Sequence, residues 1–400
     1  MASVFGWLDS SEHDRRRALD VIHQFEQRET VDELGLGGIR DTIADVLAPG
    51  TSTIQTRARY FFFIPWIYLA LEGRKTQSGR VAALARQREI NLIEVLSESV
   101  DPRGTIGIDA GSTLRRLPSA IYWAGLYRLG FRLTAGSQDQ YQRVLERGGR
   151  AAAMDDSRDL VLDSNRGPTW HVRLPPPPDD FPGSASFALR RVEAEYFREA
   201  LQVQAPDSLF QFLVSNERSM DRYDFPWQHP LRPAMPLELQ RWLEHAELFS
   251  TAMHGAQLLY NLLLAEAVPD VDRATEYRDA FHEWTVLLEP CQTRVREWDR
   301  LSFWSELKSR NKRLSSASER FADTWIQLVL DTPSVGTLVD QTEARRLVAL
   351  REHQLKGPRA RLQSRAHLDL WGGASGTERL SYRWGITQTL VRDITTGLAS

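Results

Sequence analysis

Apolar residues recur every three or four positions through most of this chain, and this helical period is the feature that most restricts its fold. The stretches that carry it include residues 10–27, 37–47, 80–99, 113–129 and 236–267. The strict alternation of apolar and polar residues that marks a strand is scarce, and no internal repeat of fixed period is visible. The sequence therefore predicts a mostly α fold, a two-lobed multi-helix bundle with little or no sheet.

A proline-rich stretch separates the two predicted lobes. Residues 163–187 contain six prolines, a density that favours an extended, polyproline-like connector. This interpretation gives an N-terminal helical domain at 1–162 and a C-terminal helical domain at 188–400. An alternative stays open, in which the stretch is a long ordered loop wrapped over the helices with Trp170 and Phe181 as anchors.

Charge and cysteine content limit the classes of function. The 400-residue chain has a net charge of −3, which excludes a globally basic nucleic-acid coat but not a local basic patch. Cys291 is the only cysteine, so an intrachain disulfide and a thiolate zinc cluster are excluded and a reducing compartment fits best. The first residues lack the apolar core of a signal peptide, and the longest apolar run, Tyr60–Leu71, is shorter than the roughly 20 residues of a membrane span. We therefore expect a cytoplasmic protein that makes no membrane contact.

Catalytic motifs are incomplete in this sequence. The phosphate-loop and metal-protease signatures each lack essential residues. Asp299, Glu306 and Lys308 resemble the carboxylate-and-lysine set of metal-dependent nucleases, which place these side chains on adjacent strands. A helical pattern across 301–309 opposes that arrangement here. We expect no catalytic residue, no metal site and no cofactor, and we keep a metal-dependent nuclease or hydrolase as the second alternative.

The first of three arginine-rich candidate sites precedes an aromatic run. On a helix, Gln55 and Arg59 share one face, and Arg57 and Tyr60 share a neighbouring face. Arginines backed by aromatic rings suit phosphate contacts and base stacking. The same pattern suits a buried helix whose arginines pair with carboxylates. Both interpretations are open.

The second and third candidate sites are unusually rich in cations. Arg115 and Arg116 lie where a helix is predicted to begin, a position at which the helix dipole disfavours cations and a nearby anion would be favourable. The segment 345–366 has seven cations against one anion, in a chain whose net charge is −3. Local positive charge of this kind is typical of a polyanion site, and the alternative is a surface balanced by distant acids. The seven cations are Arg345, Arg346, Arg351, Lys356, Arg359, Arg361 and Arg365.

Several of these same residues resemble a bacterial family that carries only a domain-of-unknown-function label. The resemblance covers nearly the whole chain, and its motifs are Phe5–Asp9, Arg15–Arg17, Gln55–Phe62, Leu114–Ser119 and Tyr382–Trp384. It implies a phage-defence gene neighbourhood with helicase-type and phospholipase-D-like genes. It supplies no catalytic residues.

These observations together predict a non-catalytic accessory component of a bacterial antiviral defence system. It would bind DNA or RNA, or a helicase-type or phospholipase-D-like partner protein, through its arginine-rich surfaces. The arginines would neutralise phosphates, while Gln55 and Tyr60 would stack or form hydrogen bonds. The first alternative is a protein-interaction scaffold without nucleic-acid contact, in which some of the twelve tryptophans line an interface and the arginines meet acidic partner surfaces.

Overall fold

The computed structural model describes residues 32–72, 80–154, 168–216 and 221–400, so the predicted helix at 10–27 lies outside the described residues. Within these ranges no strand forms, and one isolated antiparallel bridge joins Arg132 to Trp170. The predicted mostly α fold is confirmed. The α-helices are α1 (Gly37–Leu47), α2 (Tyr60–Glu72), α3 (Val81–Ser97), α4 (Pro118–Arg128), α5 (Gln138–Met154), α6 (Arg191–Gln204), α7 (Leu209–Asn216), α8 (Leu237–Ala267), α9 (Val271–Leu288), α10 (Gln292–Glu297), α11 (Arg300–Arg310), α12 (Ser316–Asp331), α13 (Thr342–Lys356), α14 (Arg365–Leu368) and α15 (Trp384–Ala399).

The chain divides into two compact units. Unit 1 contains the described residues up to Thr42 together with His245–Leu380. Unit 2 contains Ile43–Glu244 and Ser381–Ser400, so two of the divisions fall within α1 and α8. The described part of the predicted connector, residues 168–187, lies inside unit 2. Over the described ranges, no helix combines the length and the hydropathy that crossing a bilayer requires.

Helix α2 is the centre of the unit 2 core. Its apolar residues are buried along almost its whole length, and Pro65 lies inside it. The Phe61 ring packs against rings on α4 and α6, including an edge contact with Phe197 at 5.0 Å between centroids. The sequence pattern places Gln55 and Arg59 on one helix face, yet α2 begins only at Tyr60. The preceding residues form turns instead, because the Gln55 side chain bonds to the backbone of Ser52 and Gly50.

The described part of the proline-rich stretch packs on unit 2. The Trp66 indole N–H donates to the Pro175 carbonyl at 2.7 Å. The Phe181 ring stacks on Phe63 at 5.8 Å between centroids, and the Trp170 indole N–H donates to the Tyr141 hydroxyl at 3.0 Å. These contacts are those expected of an ordered loop anchored by Trp170 and Phe181.

The unit 1 core forms around the part of α8 that follows His245. The indole N–H groups of Trp284 on α9 and Trp325 on α12 donate to consecutive α8 carbonyls, at 2.7 and 2.8 Å. A side chain at Gly255 would place its Cβ 2.4 Å from the Trp284 ring, so this close packing requires glycine. Helix α9 ends at Leu288, since Pro290 interrupts it.

Candidate functional site

Two residues of the first candidate site lie in the interior of unit 2. Gln55 is 1% exposed, and its amide accepts from the Ser52 N–H and donates to the Gly50 carbonyl, at 3.3 and 3.1 Å. The Tyr60 hydroxyl accepts from the Ile106 N–H at 3.0 Å, and burial raises its pKa above the usual range. Neither side chain is accessible to a base in this fold. The stacking and hydrogen-bonding role predicted for them does not fit these positions.

The two arginines of that site form ion pairs within unit 2, of which the Arg59 pair is buried and the Arg57 pairs are partly buried. The Arg59 guanidinium donates through two nitrogens to both Glu193 oxygens, at 3.0 and 3.1 Å. The Arg57 Nε contacts both Asp393 oxygens, at 3.2 and 3.0 Å, while its Nη1 contacts Asp101 at 3.2 Å. The two-nitrogen fork of Arg59 is the strongest arrangement of arginine and carboxylate. The arginines of this site pair with carboxylates, as the second interpretation expected, but from the turns before α2 and not from a helix.

Part of the third candidate site is a buried charge network in unit 1. The Lys356 ammonium contacts Glu33 and lies 3.4 Å from Glu352. Arg361 donates to Glu33 at 2.7 Å, and the Tyr260 hydroxyl donates to Glu352 at 2.7 Å. Both carboxylates are buried, with Glu33 5% and Glu352 0% exposed. Two of the predicted phosphate-binding cations, Lys356 and Arg361, are therefore paired with acids. Glu33 lies outside the segment 345–366, and Glu352 lies within it.

This network adjoins a small cavity. The cavity has a volume of about 30 Å³ and is lined by Glu33, Tyr260, Gln257 and Ser375 among others, which is room for about two water molecules. The Gln257 Oε1 atom is buried, with no hydrogen-bond partner within the described ranges. Arg361 donates to the Ser375 hydroxyl at 2.7 Å. The arrangement suits buried water better than a larger ligand.

The other cations of the third candidate site divide into paired and unpaired groups. Arg345 and Arg365 each contact a carboxylate, and Arg351 is 2% exposed and donates to a backbone carbonyl at 2.9 Å. Arg346 and Arg359 are exposed, and neither side chain has an ion pair or hydrogen bond to any residue that the structure describes. Among the described cations of this third candidate site, Arg346 and Arg359 are the two that are exposed without a partner.

Residues 112–117, which we call the arginine loop, carry the second candidate site. Arg115 and Arg116 are exposed, and neither side chain has a partner in the described part of the chain. Arg86 of α3 holds the loop backbone, because its guanidinium donates to the Ser112 and Leu114 carbonyls at 2.6 and 2.8 Å. Arg86 forms no ion pair with a described carboxylate. Arg86 therefore binds the loop backbone, and the two exposed guanidinium groups of the loop have no partner acid among the described residues.

A buried carboxylate anchors the residue that follows the arginine loop. Ser119, in the first turn of α4, donates its N–H and its hydroxyl to Glu89 of α3, at 2.8 and 2.7 Å. Glu89 is 0% exposed, and burial raises its pKa to about 7. One helical turn of α3 thus holds both ends of the loop.

The residues of the nuclease-like trio have separate partners. Asp299 caps α11 by accepting from the Ser302 N–H at 3.0 Å, while Lys308 pairs with Glu319 at 2.7 Å. The segment is helical, as its pattern predicted. Among the residues described, no group of three or more histidine, cysteine or acidic side chains is arranged to hold a metal ion.

Comparison with known families identifies the family of this chain, whose activity is unknown. A family model described as a family of unknown function (DUF6361) matches residues 2–397. The chain belongs to the DUF6361 family. No curated protein and no solved structure matches it. The resemblance to a domain-of-unknown-function family is confirmed. The family description names no functional residues of this DUF6361 chain.

Arg86 and Glu89 are the residues at the arginine loop that the sequence did not single out. Their spacing is ordinary for a helix with one buried face, and nothing in the sequence connects them with Ser112 or Ser119. Their role depends on the packing of α3 against the loop, and the periodicity of apolar residues in the sequence does not predict that packing.

Proposed function

We propose that this DUF6361 member is a non-catalytic accessory protein of a bacterial antiviral defence system and that it binds nucleic acid through its arginine loop. The observation that supports this most directly is the exposure of Arg115 and Arg116 without a partner acid. Guanidinium groups bind phosphate oxygens in a bidentate fashion, and a run of phosphates is the ligand that most readily compensates several of them.

The anchoring of the loop also favours a binding role. Because Arg86 already holds the Ser112 and Leu114 carbonyls, little backbone entropy is lost when a ligand binds Arg115 and Arg116. An unpaired cation on a fixed backbone is more effective than one on a loop that must first become ordered.

Unit 1 offers further phosphate contacts of the same kind. Arg346 and Arg359 are exposed and unpaired among the described residues. In contrast, Arg57, Arg59 and Arg361 are engaged in internal pairs, so we do not include them in the proposed binding surface.

The proposed recognition is independent of base sequence. Contacts to phosphates fix position and carry no base information, and no aromatic side chain of the first candidate site is accessible for stacking. The antiviral context comes from the resemblance, which implies neighbouring helicase-type and phospholipase-D-like genes. We propose that such a cytoplasmic nucleic-acid-processing protein is the partner.

A salt series on single-stranded and duplex DNA and RNA tests this function. On duplex DNA, log affinity falls with log salt by about 0.9 per phosphate contact. We expect the Arg115→Ala/Arg116→Ala variant to lose about two units of this slope over roughly 50 to 200 mM salt and to bind at least tenfold more weakly at the low end.

The matched control is Arg191→Ala, which removes an exposed arginine that already pairs with Glu195. We expect it to leave both affinity and slope nearly unchanged. If the unmodified protein binds no nucleic acid at low salt, the proposal is wrong. A salt-insensitive complex with a neighbouring gene product would then support the scaffold alternative.

A further inference from the structure

We propose that Arg86 and Glu89 are positioning residues for the arginine loop and that Glu89 couples polyanion binding at the loop to proton uptake. This inference rests on the proposed function of the loop, since it describes how that same site is regulated. It adds two residues and a pH dependence that the exposed arginines alone do not have.

The geometry places both residues on one turn of α3. Arg86 donates to the Ser112 and Leu114 carbonyls at the start of the loop. Glu89, three residues later, accepts from Ser119 just after the loop ends. The loop is therefore attached at both ends to the same rigid segment, which also carries the Glu89 carboxylate.

The surroundings of Glu89 contain no compensating cation within hydrogen-bond reach in the described part of the chain. Ser119 of α4 supplies both donors, and Gln138 of α5 donates to the Ser119 hydroxyl at 2.8 Å. From α2, Tyr60 and Tyr68 face the carboxylate, and burial, with the Glu89 charge as a smaller cause, raises the pKa of both phenols. Arg86, on the same helix, attracts the ionised form without contacting it.

A fully buried carboxylate with only neutral donors is unfavourable when ionised, so its proton is held to an unusually high pH. Burial raises the Glu89 pKa to about 7. Below that pH the carboxyl is neutral and the guanidinium groups act on phosphate without opposition. Above it, the ionised carboxylate weakens their attraction. By reciprocal linkage, bound phosphate favours the protonated form, so binding takes up a proton.

The test uses the full chain and a tetramethylrhodamine-labelled DNA of mixed sequence, with affinity measured by fluorescence anisotropy. We expect the unmodified protein to bind roughly threefold more tightly at about pH 6 than at about pH 8.5. Glu89→Gln should bind at both pH values as the unmodified protein does at the lower one. If Glu89→Gln keeps the unmodified pH dependence, the inference is overturned.

Two further measurements keep the inference testable if Glu89→Gln does not fold. Ser119→Ala removes a hydrogen bond that lowers the Glu89 pKa, so the pH dependence should move to higher pH. Calorimetry near pH 7 in buffers of different ionisation enthalpy should show proton uptake on DNA binding. Equal heats in those buffers, or an unshifted pH profile in Ser119→Ala, would count against the coupling.

The positioning role of Arg86 has its own variant. Arg86→Lys keeps the charge but loses the fork that holds two carbonyls, so we expect several-fold weaker binding with an unchanged pH profile. Binding equal to that of the unmodified protein would show that Arg86 does not position the loop. If Arg115→Ala/Arg116→Ala binds DNA normally, the proposed function itself fails. If that variant loses binding while Glu89→Gln keeps its pH dependence, only the coupling fails.

Discussion

Asp393 of unit 2 pairs with Arg57, whereas Glu33 of unit 1 pairs with two cations. Arg57 holds both Asp393 oxygens, while Lys356 and Arg361 share Glu33. Both carboxylates are buried, so each would be strongly unfavourable if left alone. A buried carboxylate can thus be stabilised by one cation or shared between two. We expect a substitution of the cation to destabilise the fold more in the first case than in the second.

The largest effect is expected where the partner is single. Arg57→Met removes the ion pair of Asp393 and leaves the carboxylate accepting from the Ala58 N–H, and we expect it to lower the free energy of unfolding by about 3 to 5 kcal/mol in urea denaturation. Arg191→Ala, an exposed arginine with an exposed partner, should change it by less than about 0.5 kcal/mol. A loss below about 1 kcal/mol in Arg57→Met would show that Asp393 does not depend on this pair.

Glu89 extends the comparison to a buried carboxylate that no cation of the described ranges contacts. Its folded-state pKa is raised to about 7 from an ordinary value of 4.5. The folded state therefore holds a proton that the unfolded state releases as pH rises from 4.5 to 7, and stability falls over that window by up to about 3 kcal/mol. Glu89→Gln should remove this fall, so the variant is more stable than the unmodified protein near pH 8.5 and similar near pH 4.5. Urea midpoints across pH measure it, and parallel pH profiles would contradict it.

A smaller loss is expected in the shared network. Lys356→Met leaves Glu33 with Arg361, and it leaves Glu352 with the Tyr260 hydroxyl. We expect a loss of about 1 to 2 kcal/mol in the same denaturation assay. If Lys356→Met costs as much as Arg57→Met, redundancy does not protect the network and the comparison fails.

The smallest change in stability is expected at the unpaired arginines of unit 1. Arg346→Ala and Arg359→Ala should each alter the free energy of unfolding by less than about 0.5 kcal/mol, because neither side chain contacts a described partner. Under the proposed function, each should lower the salt slope of duplex-DNA binding by about 0.9. An unchanged salt slope would show that Arg346 and Arg359 do not contact DNA phosphates.

The helical class of the fold followed from the sequence because it depends on local periodicity. The pattern and the following Pro49 placed α1 at its observed bounds, and the cap at Ser315 marks the start of α12. Local rules were insufficient before α2. The turn that the Gln55 side chain forms with the backbone of Gly50 and Ser52 competes with helix, and the apolar run alone does not reveal it.

The candidate sites could be predicted only as far as charge is a local property. The sequence showed the excess of cations in 345–366 but not that Glu33, more than three hundred residues away, contacts two of them. It likewise identified Arg115 and Arg116 but not the absence of an acid beside them. Whether a cation is paired depends on contacts between distant parts of the chain, which a single sequence does not record.

The pair between Arg57 and Asp393 also sets an order of events during synthesis. Asp393 lies on α15, and α15 covers the apolar face of α6 with Leu390 and Ile394. The ribosome adds these residues only after every residue of unit 1 has been made. A nascent chain can thus complete unit 1 while the unit 2 core still lacks its last helix. Until then Arg57 lacks its Asp393 partner, and the uncovered apolar face of α6 is the surface that a chaperone would have to protect.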